Sequence, residues 1–194
     1  MRGSGTGSDR KMAGFGFGVP AIFAAAFGRN DARIIFNTEV PTNRYDFICT
    51  LSSQQGAALQ NELKKKLGLA GKLEMRETDV LVLKVKDPKA VGLEASADPR
   101  NAPTSLQGRG RGHLSGKNVE LANLANDLEQ RMGLPVVDQT GLENRRFDFE
   151  LTWAQSDSML NIDGLKQALS DELGLELIPA RRPAEMVVVG KVKE

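Results

Sequence analysis

Three carboxylates are the residues of this chain best suited to acid–base chemistry. Asp46 and Asp148 occupy matching positions of two similar segments, and Asp138 lies in a turn-like stretch. Carboxylates held at different pKa values can donate and accept the protons of a hydrolase or transferase reaction. The alternative is structural: Asp46 and Asp148 pair with Arg44 and Arg146 or with a neighbouring strand, and we favour it because such pairs are common.

Histidine and cysteine, the other residues with reactive side chains, each occur once in the sequence. His113 is the only histidine, and no second imidazole or cysteine lies near it in the sequence to build a zinc site. A Ser-His-Asp triad would have to use His113 itself, which argues against a hydrolase of that kind. Cys49 is the only cysteine, which excludes an intrachain disulfide, and its place in an apolar row predicts a buried, unreactive thiol. Residues 138–141, Asp-Gln-Thr-Gly, differ from the Asp-Thr-Gly of aspartic proteases and favour a turn. We therefore predict no catalytic residues and no metal site.

Two glycine-rich stretches could bind phosphate or nucleic acid. Residues 14–18, Gly-Phe-Gly-Phe-Gly, lack the Lys-Ser/Thr of a P-loop and the spacing of a dinucleotide fingerprint, so we expect a structural turn there. Arg109-Gly-Arg111-Gly resembles arginine-glycine nucleic-acid segments, but it has no interleaved aromatic residues, and the net charge is only +1. The expectation is therefore no cofactor and no nucleic-acid partner.

An internal repeat organises these residues. Residues 43–51, Asn-Arg-Tyr-Asp-Phe-Ile-Cys-Thr-Leu, return at 145–153 as Arg-Arg-Phe-Asp-Phe-Glu-Leu-Thr-Trp. Residues 59–69 return at 165–175, so the offset grows from 102 to 106 residues between the two pairs. A period of this kind predicts two related folding units.

Each copy predicts the order β-α-β-β-α-β-β, and hence an α+β fold. Apolar spacing predicts helices over 21–27, 55–67, 119–132 and 163–173, with a cap at Asn118 and stops at Gly28, Gly133 and Gly174. The last two strands of each copy are expected to form a hairpin, over 72–85 and 175–192. The predicted domains are a disordered leader over 1–10, units over 11–87 and 113–194, and a flexible linker over 88–112, which is rich in proline and glycine.

The strand alternation and helix stripe of the second copy predict its core. Phe149 and Trp153 fall on one side of the strand over 145–153, and Leu169 lies in the apolar stripe of the following helix. We expect all three side chains to be buried against each other.

The last strand offers the most plausible contact surface. A small open sheet leaves edges, and lysines commonly protect an edge from uncontrolled pairing. We therefore predict a binding edge for another protein at Val187, Val189, Lys191 and Lys193, where backbone hydrogen bonds would hold an added strand. No stretch is long and apolar enough to suggest a membrane span.

The motifs of the second copy resemble a known family. They are residues 121–125, Leu-Ala-Asn-Leu-Ala; 133–138, Gly-Leu-Pro-Val-Val-Asp; 147–153, Phe-Asp-Phe-Glu-Leu-Thr-Trp; and 168–175, Ala-Leu-Ser-Asp-Glu-Leu-Gly-Leu. In order and spacing they are similar to the Solibacter-type uncharacterised family of acidobacteria. The resemblance implies an exported protein without assigned catalytic residues. The element order also resembles the short amino-terminal domains of secretins and TonB-linked receptors, which bind proteins.

These observations favour a non-catalytic binding or sensing module of the bacterial cell envelope. The alternative is a hydrolase or transferase that uses Asp46, Asp138 and Asp148. A cleft with perturbed acids would favour the enzyme, and a bare sheet edge would favour the binding module.

Overall fold

The computed structural model describes residues 4–8, 11–51, 53–108, 112–154 and 161–192. The helices are α1 (Val19–Phe27), α2 (Gln55–Leu67), α3 (Leu121–Met132) and α4 (Ile162–Leu173). The strands are β1 (Ser4–Ser8), β2 (Lys11–Phe17), β3 (Ile34–Phe36), β4 (Tyr45–Cys49), β5 (Leu69–Val85), β6 (Glu94–Ala95), β7 (Ser105–Gly108), β8 (His113–Glu120), β9 (Val136–Asp138), β10 (Arg146–Thr152) and β11 (Leu175–Lys191). The predicted α+β class is confirmed, because helices and strands alternate within each half.

The helices lie close to their predicted positions. The predicted stops at Gly28, Gly133 and Gly174 are confirmed, since each has a left-handed backbone directly after its helix. The predicted cap at Asn118 is wrong. Glu120 precedes α3, and Asn118 belongs to β8 with a φ of 53°.

The predicted terminal hairpins are single long strands. β5 and β11 each run for 17 residues, through the stretches where turns were expected. No glycine or proline interrupts residues 72–85, and the two prolines of β11 are accommodated within the strand. The two strands pair in one register, because Val192 N donates to Gly68 O at one end and Lys86 N to Gly174 O at the other. Continuous pairing therefore outweighs the local turn signals.

The described residues form three sheets, with the strand orders β1-β2-β4, β6-β10-β8-β7 and β3-β11-β5-β9. In the third sheet the short strands run parallel to the long ones. β3 pairs with β11 through Val187 and Ile34, and β9 pairs with β5 through Leu81 and Val136.

The chain divides into two compact units. Unit 1 comprises Met1–Glu77 and Pro183–Glu194, and unit 2 comprises Thr78–Arg182. The second half of β5 thus belongs to unit 2 with β9, while the second half of β11 belongs to unit 1 with β3. The predicted units differ from these because they kept each last strand with its own half of the sequence.

The predicted leader and linker also contain strands. β1 pairs antiparallel with β2, although residues 4–8 were expected to be disordered. Within the predicted linker, Ala95 pairs with Phe147, and β7 pairs with β8 over Ser105–Gly108. Backbone pairing needs no apolar side chains, so composition alone could not reveal these strands.

Each unit has its own core. In unit 2 the predicted burial of Phe149, Trp153 and Leu169 is confirmed, with exposed fractions of 5%, 6% and 0%. In unit 1 the helices α1 and α2 enclose a cluster that includes Phe23 and Val187. β11 therefore supplies core residues to a unit whose helices lie at the other end of the sequence.

Candidate binding edge

The two matching aspartates bind the backbone of the neighbouring strand. Asp46 Oδ1 accepts a hydrogen bond of 2.7 Å from Gly16 N, and Asp148 Oδ1 accepts one of 2.8 Å from Asn118 N. Gly16 and Asn118 have φ values of 67° and 53°, and each lies near a shift in strand register. A carboxylate that binds the N–H of such a bulge serves the fold.

The matching arginines complete the same arrangement. Arg44 donates to Gly16 O at 2.6 Å, and Arg146 donates to Asn118 O at 3.1 Å. Arg146 also forms an ion pair with Glu120 at 2.6 Å. The repeated Arg-x-Asp segment thus holds both polar groups of one bulged residue in each unit.

Asp148 accepts hydrogen bonds from three donors. Besides Asn118 N, Ser96 Oγ donates at 2.7 Å and Lys117 Nζ at 3.1 Å. These contacts, with the bond from Asn118 N as the largest cause, lower the pKa of Asp148 below its usual value. The sequence left two ion-pair partners open for Asp148, namely Arg146 or a residue of a neighbouring strand. The structure shows the second, because Asp148 pairs with Lys117 of β8. A carboxylate held ionised in this way is poorly suited to carry protons near neutral pH.

Asp138 also has a local structural role. Its Oδ1 accepts hydrogen bonds from Thr140 N at 2.9 Å and from Thr140 Oγ1 at 2.8 Å, which stabilises the predicted turn. Asp138 and Asp148 belong to unit 2, whereas Asp46 belongs to unit 1. The contacts of all three carboxylates thus give no support to an acid–base site.

His113 lies on the polar face of β8. Its Nε2 is 2.9 Å from Glu150 Oε1, and its buried Nδ1 has no hydrogen-bond partner among the described residues. A shallow groove of about 500 Å³ on this face is lined by Gly92, Glu94, His113, Ser115, Lys117, Asp148, Phe149 and Glu150. Within the described ranges, no three His, Cys, Asp or Glu side chains are grouped so that they could hold a metal ion.

Cys49 departs from its predicted environment. Its side chain is partly exposed, and Leu51 in the same row is half exposed. Leu151, which matches Cys49 in the second copy, is fully buried. The prediction of a thiol buried in the core is therefore wrong.

Gly14, from the glycine-rich stretch over residues 14–18, and the matching Gly116 are packing positions. A Cβ on Gly14 would lie 2.5 Å from Phe47 Cε1, and one on Gly116 would lie 2.4 Å from Phe149 Cε1. Each glycine lets a phenyl ring of the partner strand lie against the backbone. Gly14 and Gly116 lie within β2 and β8, whereas the sequence predicted a turn over residues 14–18. The segment with Arg109 and Arg111 lies outside the described residues.

The predicted binding edge does not fit the strand pairing. Val187 and Val189 are fully buried, and β11 has β3 on one side and β5 on the other at this point. Lys191 is exposed at the end of β11, and Lys193 lies outside the described residues. The missed signal was the buried run at 186–189, Met-Val-Val-Val, because a continuous apolar run is typical of an inner strand.

The hydrogen bonds of β5 show which of its residues direct their backbone N–H and C=O groups away from β11. Leu81 N donates to Pro135 O, and Leu83 O accepts from Gln139 N. Both contacts are made with the β9 side of the strand. Because successive residues direct their backbone groups to alternate sides, the odd-numbered residues of β5 face away from β11.

This alternation exposes an edge in the first half of β5. Among the described residues, the pairing of β9 with β5 covers Leu81–Leu83 and stops there. Within the described part of the chain, no strand pairs with β5 on the side to which the backbone groups of Leu73, Met75 and Glu77 point. We call residues 71–77 the β5 edge.

The corresponding stretch of β11 carries prolines instead. Asn37 N donates to Val189 O, so the odd-numbered residues of β11 face away from β5. Pro179 and Pro183 are odd-numbered, and proline has no N–H to donate. Proline on an edge blocks strand addition there. The β5 edge has no proline.

Side chains on the β5 edge are arranged in two rows. Leu73 and Met75 are 47% and 64% exposed and lie on one face. Lys72, Glu74 and Arg76 lie on the other, where Glu74 forms ion pairs with both cations. The hydrogen bond from Lys72 is the largest cause of a pKa of Glu74 below its usual value. An apolar row and a charged row thus border the outward backbone groups of the β5 edge.

The chain matches a known protein family. A family model described as a protein of unknown function, DUF3738, matches residues 21–192, which is most of the chain. The chain belongs to this family. The match includes most of α1, all of α2 to α4 and both long strands, so the β5 edge lies within the family region.

No curated protein and no solved structure matches the chain. The likeness to the Solibacter-type family and to secretin or TonB-linked domains therefore stays a prediction. Within the described residues of this DUF3738 member, no helix is both long enough and apolar enough to cross a membrane.

Proposed function

We propose that this chain is a non-catalytic binding module that accepts an extended segment of another protein as an added strand on the β5 edge. In such binding, backbone hydrogen bonds provide affinity and alternate side chains provide selectivity. The assignment to the bacterial cell envelope is part of the proposal and depends on the family resemblance of the sequence.

One observation carries the proposal. The described pairing of β9 is with the second half of β5, and that of β3 is with the second half of β11, so the first half of each long strand extends past its short neighbour. In β11, Pro179 and Pro183 block the addition of a strand to this first half. The first half of β5 keeps its N–H donors and exposes Leu73 and Met75. Natural sheets protect long exposed edges against pairing. An edge left open beside a protected counterpart is therefore suited to a partner strand.

The carboxylates support binding over catalysis. Asp46, Asp138 and Asp148 each accept a backbone hydrogen bond at a bulge or a turn. The alternative of a carboxylate-dependent hydrolase or transferase would need at least one of them free to exchange protons with a substrate.

We also infer that the chain arose by duplication. The order β-α-β-β-α-β occurs over residues 11–85 and again over 113–191. The pairing of Leu81 with Val136 and of Val187 with Ile34 follows the same offsets as the sequence repeat. These correspondences support the repeat. If residues 45–67 and 147–173 had different orders of helices and strands in an experimental structure, the duplication would be contradicted.

The proposal can be tested with a neutral peptide of alternating valine and threonine. We expect slower hydrogen exchange at the amides of Leu73, Met75 and Glu77 when the peptide is added. A Leu73→Pro variant should lose this protection, because the substitution removes an outward donor without touching the ladder to β11. Val91→Ala is the matched control, since Val91 is 87% exposed and lies outside the edge.

Two results would overturn the proposal. One is the absence of protection at these amides with saturating peptide. The other is protection confined to β4, which also lies at the edge of its sheet. If Leu73→Pro unfolds the protein, Met75→Pro provides the same test at the next outward position.

A further inference from the structure

We infer that the segment that binds the β5 edge carries two acidic residues four positions apart, with apolar residues directly inside them. This inference rests on the proposed function and concerns the chemistry of the partner. It follows from the two rows of side chains that border the open edge.

The charged row has a net positive sign. Lys72 and Arg76 have side chains 73% and 48% exposed, and Glu74 between them is 22% exposed. Glu74 is already paired with both cations, which leaves one positive charge in excess over the three residues. Cross-strand neighbours of opposite charge stabilise a sheet, and like charges directly opposite destabilise it.

The spacing of the cations determines the spacing of the acids. Lys72 and Arg76 are four residues apart on one face of β5, so the residues opposite them in an added strand are also four apart. The position between them, opposite Glu74, suits an uncharged polar or a basic residue. The partner pattern is therefore acidic, apolar, polar, apolar, acidic.

The apolar row explains the other two positions. Leu73 and Met75 are exposed on the opposite face, on the same side of the strand as the buried Leu69. Residues of an added strand that lie opposite Leu73 and Met75 cover this apolar surface and remove it from water. Apolar residues at these two positions thus extend the packing of unit 1 across the new strand.

Three peptides of equal length test whether the edge prefers acidic residues at the two outer positions of this pattern. The first has glutamate at both outer positions of the five-residue pattern, the second has lysine there, and the third is the neutral valine-threonine peptide. We expect the first to bind about tenfold more tightly than the second at low salt, from two cross-strand charge pairs of ordinary strength. The difference should shrink in 1 M salt, because exposed charges are screened.

A charge-inverted variant is the matched control. Lys72→Glu, Glu74→Lys and Arg76→Glu together keep both ion pairs within the row and reverse its net sign. This variant should prefer the lysine peptide over the glutamate peptide. Binding is measured by titration, and hydrogen exchange at Leu73 and Met75 confirms the location.

The outcomes separate the inference from the proposed function. Equal affinity for the glutamate and lysine peptides, with protection at Leu73 and Met75, would overturn the inference and leave strand addition intact. No protection by any of the three peptides would overturn both. Protection that rises with protein concentration in the absence of peptide would show that a second copy covers the edge, and would also overturn the inference.

Discussion

The carboxylate of Asp148 holds the backbone N–H of Asn118 at 2.8 Å, at a residue whose left-handed φ of 53° lets β8 bulge beside β10. The corresponding pair in unit 1 is Asp46 with Gly16, at 2.7 Å. The repeated aspartates of the sequence, which could have been read as catalytic acids, are thus explained by the two bulges.

Removing this contact in unit 2 should destabilise the protein. Asp148→Ala leaves the N–H of the buried Asn118 without its acceptor, and we expect the free energy of unfolding to fall by about 1–3 kcal/mol. Urea denaturation followed by the fluorescence of the buried Trp153 measures the change. Glu143→Ala, at an exposed position, is the control and should lie within about 0.5 kcal/mol of wild type. A loss as small for Asp148→Ala as for the control would contradict the role of the carboxylate.

The same carboxylate should contribute to the pH dependence of stability. The folded-state pKa of Asp148 is lowered, so its contribution is fully present above the unfolded pKa of about 3.9 and is lost as the pH falls through the lower folded value. The difference in unfolding free energy between wild type and Asp148→Asn should therefore shrink on going from pH 5 towards pH 2. A difference that stays constant over this range would show that the ionised form is not favoured by folding.

The left-handed backbone of Gly16 predicts a cost for any side chain at this position. A Cβ on Gly16 would meet no atom within 4 Å, so the effect of Gly16→Ala is conformational. We expect a loss of about 1–2 kcal/mol in the free energy of unfolding. Gly18→Ala is the matched control, because Gly18 has a φ of −75° that alanine adopts readily. Equal losses for the two variants in thermal or urea unfolding would argue against the bulge geometry.

The division of the two long strands predicts which unit a core substitution affects. Leu81→Ala should lower the stability of unit 2 by about 2–5 kcal/mol, although Leu81 lies in the first half of the sequence. Val187→Ala should instead weaken unit 1, whose core contains Val187. Native-state hydrogen exchange at the amides of α1 and α3 distinguishes the units. Faster exchange in α1 with Leu81→Ala, and in α3 with Val187→Ala, would reverse the assignment.

Local signals in the sequence determined the helices and the faces of the strands. The stops at Gly28, Gly133 and Gly174 and the burial of Phe149 and Leu169 depend on backbone conformation and side-chain periodicity within short segments. The repeat also placed Asp46 and Asp148 at matching positions. These features need only a few neighbouring residues, which is why the sequence alone was sufficient.

Only the tertiary structure decided which strand edges are covered. Side-chain alternation indicates the faces of a strand, whereas its edges depend on distant partners, such as Ile34 for Val187. Sequence reasoning therefore predicted an open edge at Val187 and Val189, where β3 pairs with β11. It did not predict the edge at Leu73 and Met75, where no described strand pairs with the outer side of β5. The same non-local pairing decided that β5 continues from unit 1 into unit 2, because hydrogen bonds to β9 and β11 stabilise one long strand over the expected hairpin.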